Sequence, residues 1–242
     1  MHRRLIGAIA ALVLVGAVIG GLAWQRDRRS AAEASPSPST DTTIETVVTT
    51  TPAAPLRVVI LGDSYTQLDQ WASEVADAAN WDHENLALSG TGYVSTAGRS
   101  ACGLDVCPNY HDRLITAAEL VPDADVIVIT GGVNDPTGTI VIDAVHATYS
   151  EARRLFPEAT IVGFSPFGKA TEYPESLVAL RSIIRDEVSS VDGVYVDVGH
   201  PLADHPEWIR SDGLHPTDEG QHALAVAILA ALRSRAPDLI GR

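Results

Sequence analysis

The sequence predicts an α/β fold in which a five-stranded parallel sheet is covered by helices on both faces. Short β-branched runs alternate along the chain with longer segments whose apolar residues recur at helical spacing. The short runs are continuously apolar rather than alternating, as expected for strands that are buried on both faces. A chain of 242 residues with 45% hydrophobic residues can bury the core that such a domain needs.

Five predicted strands alternate with five predicted helices from residue 56 onward. The predicted strands are LRVVIL (56–61), NLAL (85–88), ADVIVIT (124–130), TIVGFS (160–165) and GVYVDV (193–198). The predicted helices cover 66–80, 112–120, 139–156, 176–188 and a last segment that follows Thr217. Thr217 is suited to cap this last helix because its side chain can accept a hydrogen bond from a free backbone N–H. Asp218 and Glu219 follow in the first turn, where the helix dipole favours negative charge.

Two segments precede the predicted domain. Residues 5–24 contain no charged side chain, and a helix of that length spans roughly 30 Å, the thickness of a bilayer core. The segment is longer than the apolar core of an ordinary signal sequence, which runs about 7–15 residues, so we predict that residues 1–29 form a membrane anchor. An A-x-A-like site at 32–34 leaves cleavage and secretion open. Residues 30–55 are rich in Ser, Thr, Pro and Ala and predict an extended linker. Residues 56–242 form the predicted domain, which we expect to be monomeric.

The charge of the chain argues against nucleic acid as a partner. The formal net charge is -14, and from residue 56 onward 12 basic residues stand against 27 acidic ones. A surface of this sign repels a phosphate backbone.

The two cysteines, Cys102 and Cys107, are separated by four residues in a glycine-containing segment. This spacing favours a small disulfide formed in an oxidising compartment. Two free thiols, or a metal site that includes the nearby His111, are the alternatives. The apolar segment, the linker and this pair together predict a location outside the cytoplasm.

Polar residues follow the predicted strands at the edge where an α/β sheet binds its ligands, beyond the carboxyl ends of the strands. Ser64 follows the first strand, Gly90 follows the second, and Asn134 follows the third. Asp212 and His215 lie just before the last helix. A hydroxyl, a glycine turn, an amide and an Asp/His pair are therefore predicted at one rim of the sheet.

These residue types are the components of a hydrolytic serine site. A serine hydroxyl becomes a good nucleophile when an imidazole accepts its proton and a carboxylate holds that imidazole in the useful tautomer. His215 and Asp212, three residues apart in a turn, can supply both groups. The N–H groups of Ser64 and Gly90 and the amide of Asn134 can stabilise the oxyanion of the tetrahedral intermediate.

Four short blocks, in this order, resemble the motifs of the SGNH, or GDSL-type, hydrolases. They are GDSY at 62–65, NLALSGTG at 85–92, GGVND at 131–135 and DGLH at 212–215. Tyr65 occupies the position of the leucine in the GDSL motif, from which the family takes its name. Alignment on Asn85 places the oxyanion glycine at Gly90, with Gly92 as the alternative. The resemblance extends from residue 56 to the C-terminus.

The resemblance implies a flavodoxin-like three-layer α/β/α fold and ester hydrolysis without a metal or another cofactor. We therefore expect a carboxylic ester hydrolase with Ser64, His215 and Asp212 as catalytic residues, acting on a small acyl ester, a lipid or an O-acylated envelope glycan. An O-acyltransferase and a non-catalytic glycan- or lipid-binding module are the alternatives. Retention of all three catalytic residue types counts against the binding module. The loop 89–111 is expected to form part of the substrate wall.

Overall fold

The computed structural model of the chain describes residues 53–168 and 174–241. The predicted anchor and all but the last three residues of the predicted linker lie outside the described residues. Within these two ranges, no helix is both long enough and apolar enough to cross a bilayer.

Five parallel strands form the central sheet, as predicted. The strands of the described residues are β1 (Leu56–Leu61), β2 (Trp81–Asn85), β3 (Ala97–Gly98), β4 (Val106–Cys107), β5 (Val126–Ile129), β6 (Thr160–Phe164) and β7 (Val194–Val196). The order across the main sheet is β2-β1-β5-β6-β7, the arrangement of flavodoxin-like folds, with its topological switch point between β1 and β5. A separate antiparallel pair, β3 and β4, lies in the loop between β2 and β5.

Helices cover both faces of this sheet, which confirms the three-layer α/β/α fold. The α-helices of the described residues are α1 (Ser64–Gln67), α2 (Gln70–Ala79), α3 (Arg99–Cys102), α4 (Tyr110–Leu120), α5 (Thr139–Leu155), α6 (Glu175–Ser190) and α7 (Asp218–Arg235). Alternate residues of β1 point to opposite faces of the sheet. Val58 and Ile60 enter the core under α2 and α7, and Val59 and Leu61 enter the core under α4, α5 and α6. Thr217 caps α7 as predicted, since its side chain accepts a hydrogen bond from the backbone N–H of Gly220.

The second strand of the sheet lies upstream of its predicted position at 85–88. It is formed by Trp81–Asn85, which pair with β1 from Leu56 to Ile60. Only Trp81 is buried, and the exposed Asp82 and Glu84 alternate with half-buried residues. An edge strand has one neighbour and an exposed side, so it does not need the continuous apolar run from which the strand was predicted.

The first predicted helix is two helices, α1 and α2. They are separated at Asp69, which has φ 62° in the left-handed region. Its carboxylate accepts hydrogen bonds from Ser73 Oγ at 2.9 Å and from Asn85 Nδ2 at 2.6 Å. The short α1 begins directly after β1, with Ser64 as its first residue.

The loop between β2 and α4 contains the small antiparallel pair β3 and β4 and the short helix α3. A disulfide joins Cys102 at the end of α3 to Cys107 in β4. The predicted bridge is therefore present, and the free-thiol and metal alternatives for these two cysteines are wrong.

Candidate active site

The turn after β1 presents Ser64 without using its hydroxyl for capping. The N-cap of α1 is Asp63, whose Oδ1 accepts a hydrogen bond from the Tyr65 N–H at 3.0 Å. A side chain at Gly62 would lie 2.6 Å from Thr66 Oγ1, so only glycine fits the turn. The Ser64 side chain makes no hydrogen bond within the described ranges, and the residue is 8% exposed. Its hydroxyl is thus available at the rim of the sheet.

Asp63 connects this turn to the GGVND block after β5. Its carboxylate is fully buried and accepts a hydrogen bond from the Gly132 N–H at 3.2 Å, and the Tyr110 hydroxyl lies at 3.5 Å. Burial raises the pKa of Asp63 from its ordinary 3.8 to about 6. The first and third blocks are therefore held together by a carboxyl group inside the core.

Asp212 and His215 form the predicted pair. His215 Nδ1 lies 2.9 Å from Asp212 Oδ2, and Asp212 Oδ1 accepts the backbone N–H groups of Leu214 at 2.8 Å and His215 at 3.0 Å. The His215 side chain and these N–H groups lower the pKa of Asp212, which therefore stays ionised. An ionised carboxylate only accepts, so His215 Nδ1 is the donor and its Nε2 is left as the proton acceptor.

Tyr65 ties the DGLH turn to the nucleophile block. Its hydroxyl donates to the Leu214 carbonyl at 2.8 Å, and its ring centroid lies 6.2 Å from that of His215. Tyr65, which replaces the leucine of the GDSL motif, thus contacts the turn that carries His215. No direct hydrogen bond joins the Ser64 hydroxyl to His215 in the described parts of the chain, and Tyr65 is the link between them.

Two of the predicted oxyanion donors have free backbone N–H groups. The N–H groups of Ser64 and Gly90 have no acceptor among the described residues, whereas the Gly92 N–H donates to the Ser95 carbonyl at 2.9 Å. A Cβ at Gly92 would lie 2.3 Å from the Asp135 carboxylate, which explains why glycine is needed there. The structure therefore favours Gly90 over Gly92 as the donor.

The third predicted donor, Asn134, also holds the glycine loop in place. Its Nδ2 donates to the Thr91 carbonyl at 2.9 Å, which uses one of its two amide protons. The next residue, Asp135, accepts backbone N–H groups from Tyr93 at 2.8 Å and Ser95 at 2.9 Å. The second and third blocks are thereby fixed to each other, and one Asn134 proton remains for a substrate oxygen.

Arg113 on α4 organises the same region and was not predicted from the sequence. Its guanidinium is buried and donates to the Gly62 carbonyl at 3.1 Å, to the Leu86 carbonyl and to Thr91 Oγ1 at 2.9 Å. Burial lowers its pKa to about 10, so it remains a cation near neutral pH. A signal was present: Arg113 interrupts an otherwise apolar helical face, where a charged residue needs buried partners.

Phe167 and His205 pack against tryptophan rings. Phe167 is a core residue, 2% exposed, with its ring 5.8 Å from Trp71. His205 stacks on Trp208 at 3.7 Å and lies 2.9 Å from Glu207. Residues 53–168 and 174–241 contain no cluster of three or more His, Cys, Asp or Glu suited to a metal ion.

The sequence pattern of the GDSL-like Lipase/Acylhydrolase family matches residues 60–223, which include all four blocks. The chain belongs to this family. It is 29% identical over 187 residues to the GDSL lipase Rv0518 of Mycobacterium tuberculosis, covering 69% of this chain and 78% of that protein. Membership of the GDSL family confirms the predicted enzyme class, a carboxylic ester hydrolase.

Solved structures of other proteins share the fold of this GDSL family member. The esterase EstA from Pseudoalteromonas sp. has a TM-score of 0.55 at 15% identity, over 74% of this chain and 97% of that chain. A family two carbohydrate esterase from Cellvibrio japonicus has a TM-score of 0.55 at 19% identity, over 76% of this chain and 62% of that chain. At these identities the likeness concerns the fold alone.

Proposed function

We propose that this GDSL-family enzyme is an extracytoplasmic serine esterase that hydrolyses acyl esters of a lipid or an envelope glycan through an acyl-enzyme at Ser64. His215 is the general base and Asp212 orients it. The N–H groups of Ser64 and Gly90 and the amide of Asn134 bind the oxyanion.

The Asp212–His215 pair carries this proposal. Asp212 Oδ2 holds His215 Nδ1 at 2.9 Å while its Oδ1 accepts two backbone N–H groups of the same turn. Carboxylate and imidazole are thus held in one relative orientation before any substrate binds. A binding module has no need of an imidazole poised in this way.

The reaction follows from these roles. Ser64 Oγ attacks the ester carbonyl carbon as its proton passes to His215 Nε2, and the bond to the alcohol oxygen breaks as the alcohol leaves with that proton. Water, deprotonated by His215, then attacks the acyl-enzyme. The acid is released and Ser64 regains its proton.

Two substrate classes are supported by similarity. One relative is named a GDSL lipase, and one structural neighbour is a carbohydrate esterase. Both types of substrate present a neutral ester, which suits a domain whose acidic residues outnumber its basic ones.

The location is proposed from the N-terminal sequence and the disulfide. An uncharged segment at 5–24 and a polar linker at 30–55 suit a domain displayed outside a membrane. The Cys102–Cys107 bridge agrees with this, because disulfides persist in oxidising compartments.

A fluorophosphonate probe tests the nucleophile. We expect the full-length chain to be labelled once, at Ser64, and Ser64→Ala to lose both labelling and hydrolysis of p-nitrophenyl acetate. Ser189→Ala, at an exposed position on α6 outside the four blocks, is the control and should behave as the wild type. Labelling of Ser64→Ala at the wild-type level would refute the assignment. Adding a sugar acceptor to the same assay separates hydrolysis from acyl transfer, because a transferase would yield the acylated sugar.

A further inference from the structure

A cavity of about 590 Å³ opens beside the proposed catalytic residues. Tyr65, Asn134 and Leu214 form its wall on that side. These residues are, respectively, the neighbour of the nucleophile, an oxyanion donor and the neighbour of His215. The cavity therefore begins where the acyl carbon of a bound ester would lie.

One face of α6 supplies the opposite wall. Ser176, Ala179, Leu180 and Ile183 line the cavity at helical spacing, so they share one side of the helix. Val141 of α5 adds a further aliphatic surface. Leu180, Ile183 and Val141 thus give this side of the cavity an aliphatic surface. Asn134, Thr137 and Ser176 add polar groups to the lining.

The described lining of the cavity holds no cation that could pair with an anionic acyl group. Asp135 is the one charged residue among its described lining residues. The Asp135 carboxylate already accepts the N–H groups of Tyr93, Val94 and Ser95. An aliphatic chain is therefore the acyl group that this lining suits.

We propose that this cavity is the acyl-binding pocket of the enzyme and that it selects aliphatic chains of medium length over acetyl groups. The inference rests on the proposed serine esterase function and specifies its acyl substrate. The volume lies within the range of roughly 300–1,000 Å³ that is typical of small-molecule pockets, and is more than an acetyl group alone would occupy.

Burial of each methylene sets the expected chain-length dependence. A buried CH₂ is worth about 0.8 kcal/mol, which corresponds to about fourfold in kcat/KM. The kcat/KM of the full-length enzyme for p-nitrophenyl esters should therefore rise by about fourfold per methylene from acetyl to octanoyl, and then level off or fall toward hexadecanoyl.

Three variants distinguish binding in this pocket from a general effect of substrate hydrophobicity. Ala179→Phe adds a ring at an exposed helix position that lines the cavity, and should lower the octanoyl-to-acetyl ratio of kcat/KM by at least about tenfold. Val178→Phe is the matched control, because Val178 is 54% exposed and does not line the cavity. The control should keep the wild-type ratio. Ile183→Ala, which enlarges the cavity, should shift the preferred chain length upward.

The outcomes distinguish the pocket from the esterase assignment itself. Hydrolysis of the acetyl ester with no gain at longer chain lengths would overturn the pocket and leave the esterase standing. The same octanoyl-to-acetyl ratio in Ala179→Phe as in Val178→Phe would also overturn the pocket. Failure to hydrolyse any ester, with no probe labelling of Ser64, would refute the esterase and the pocket with it.

Discussion

At the scale of single residues, the site depends on a buried carboxyl group that does not touch the reacting atoms. Asp63 caps α1 with one oxygen and accepts the Gly132 N–H with the other. Both bonds are to backbone groups, so the side chain fixes the turn that carries Ser64 against the GGVND block. Its fully buried position also makes its protonation depend on folding.

The raised pKa of Asp63 predicts a pH-dependent stability. Because the folded pKa of about 6 lies above the ordinary 3.8, the folded state binds this proton more tightly than the unfolded chain does. Binding of this proton stabilises the folded state by about 3 kcal/mol in total. The stabilisation is complete below about pH 3.8 and is lost as the pH rises through about 6. In the variant Asp63→Asn, the amide side chain can still cap the helix but cannot titrate.

Urea unfolding from pH 4 to 7 measures this effect. The difference in unfolding free energy between wild type and Asp63→Asn should shift by about 2.4 kcal/mol in favour of the variant across that range. Using the difference removes the contributions of the other carboxyl groups. Parallel curves for the two proteins would show that Asp63 is not protonated more readily in the folded state.

Asn134 is expected to act mainly in the transition state. If its free amide proton binds the oxyanion, Asn134→Ala should lower kcat by about 10²- to 10³-fold with little change in KM. Loss of the bond to the Thr91 carbonyl should have a smaller effect on stability, of about 1 kcal/mol. Steady-state kinetics with a p-nitrophenyl ester and a urea melt measure the two effects. An unchanged kcat would remove Asn134 from the mechanism.

At the scale of elements, α4 holds the loops of the site together through Arg113. The side chain reaches the turn after β1, the residue after β2 and the glycine loop, so three segments share one cation. The packing of α4 against the sheet thereby sets the relative position of the first two blocks.

Removal of Arg113 should destabilise the domain strongly. Arg113→Ala removes the hydrogen bonds of a charged donor to three acceptors, each worth about 1.5–3 kcal/mol, so we expect a loss of at least about 3 kcal/mol in unfolding free energy. Arg185→Ala is the control: Arg185 forms an exposed pair with Asp186 and should cost less than about 1 kcal/mol. Urea denaturation of both variants tests this, and equal losses would contradict the role of Arg113.

At the scale of the whole molecule, the proposed display outside the membrane makes the linker accessible. Protease added to intact cells should cut within residues 30–55 and release the domain, because this segment is polar and rich in Ser, Thr and Pro. Immunoblotting of the supernatant with an antibody against the domain measures the release. Complete protection until the cells are lysed would place the domain in the cytoplasm and refute the location.

Most of the fold could be predicted because its signals are local. Continuous β-branched runs identified the strands that have neighbours on both sides, and Thr217 marked the start of α7. The edge strand β2 was misplaced because its residues alternate in burial, and the break between α1 and α2 was missed because it depends on Asp69 contacting residues on another strand. Both errors concern elements whose form depends on what packs beside them.

The sequence by itself determined the fold class, the family and the blocks that carry the site residues, because these depend on residue order and on short-range patterns. Only the tertiary structure decided which groups are free to act. It showed that Asp63 rather than Ser64 caps α1, and that the N–H of Gly92 is occupied while that of Gly90 is not. It also placed the Arg113 guanidinium against the turn after β1, and a cavity between Leu214 and α6. Hydrogen-bond partners and enclosed volume arise from residues far apart in the chain, so they exist only once the chain has folded.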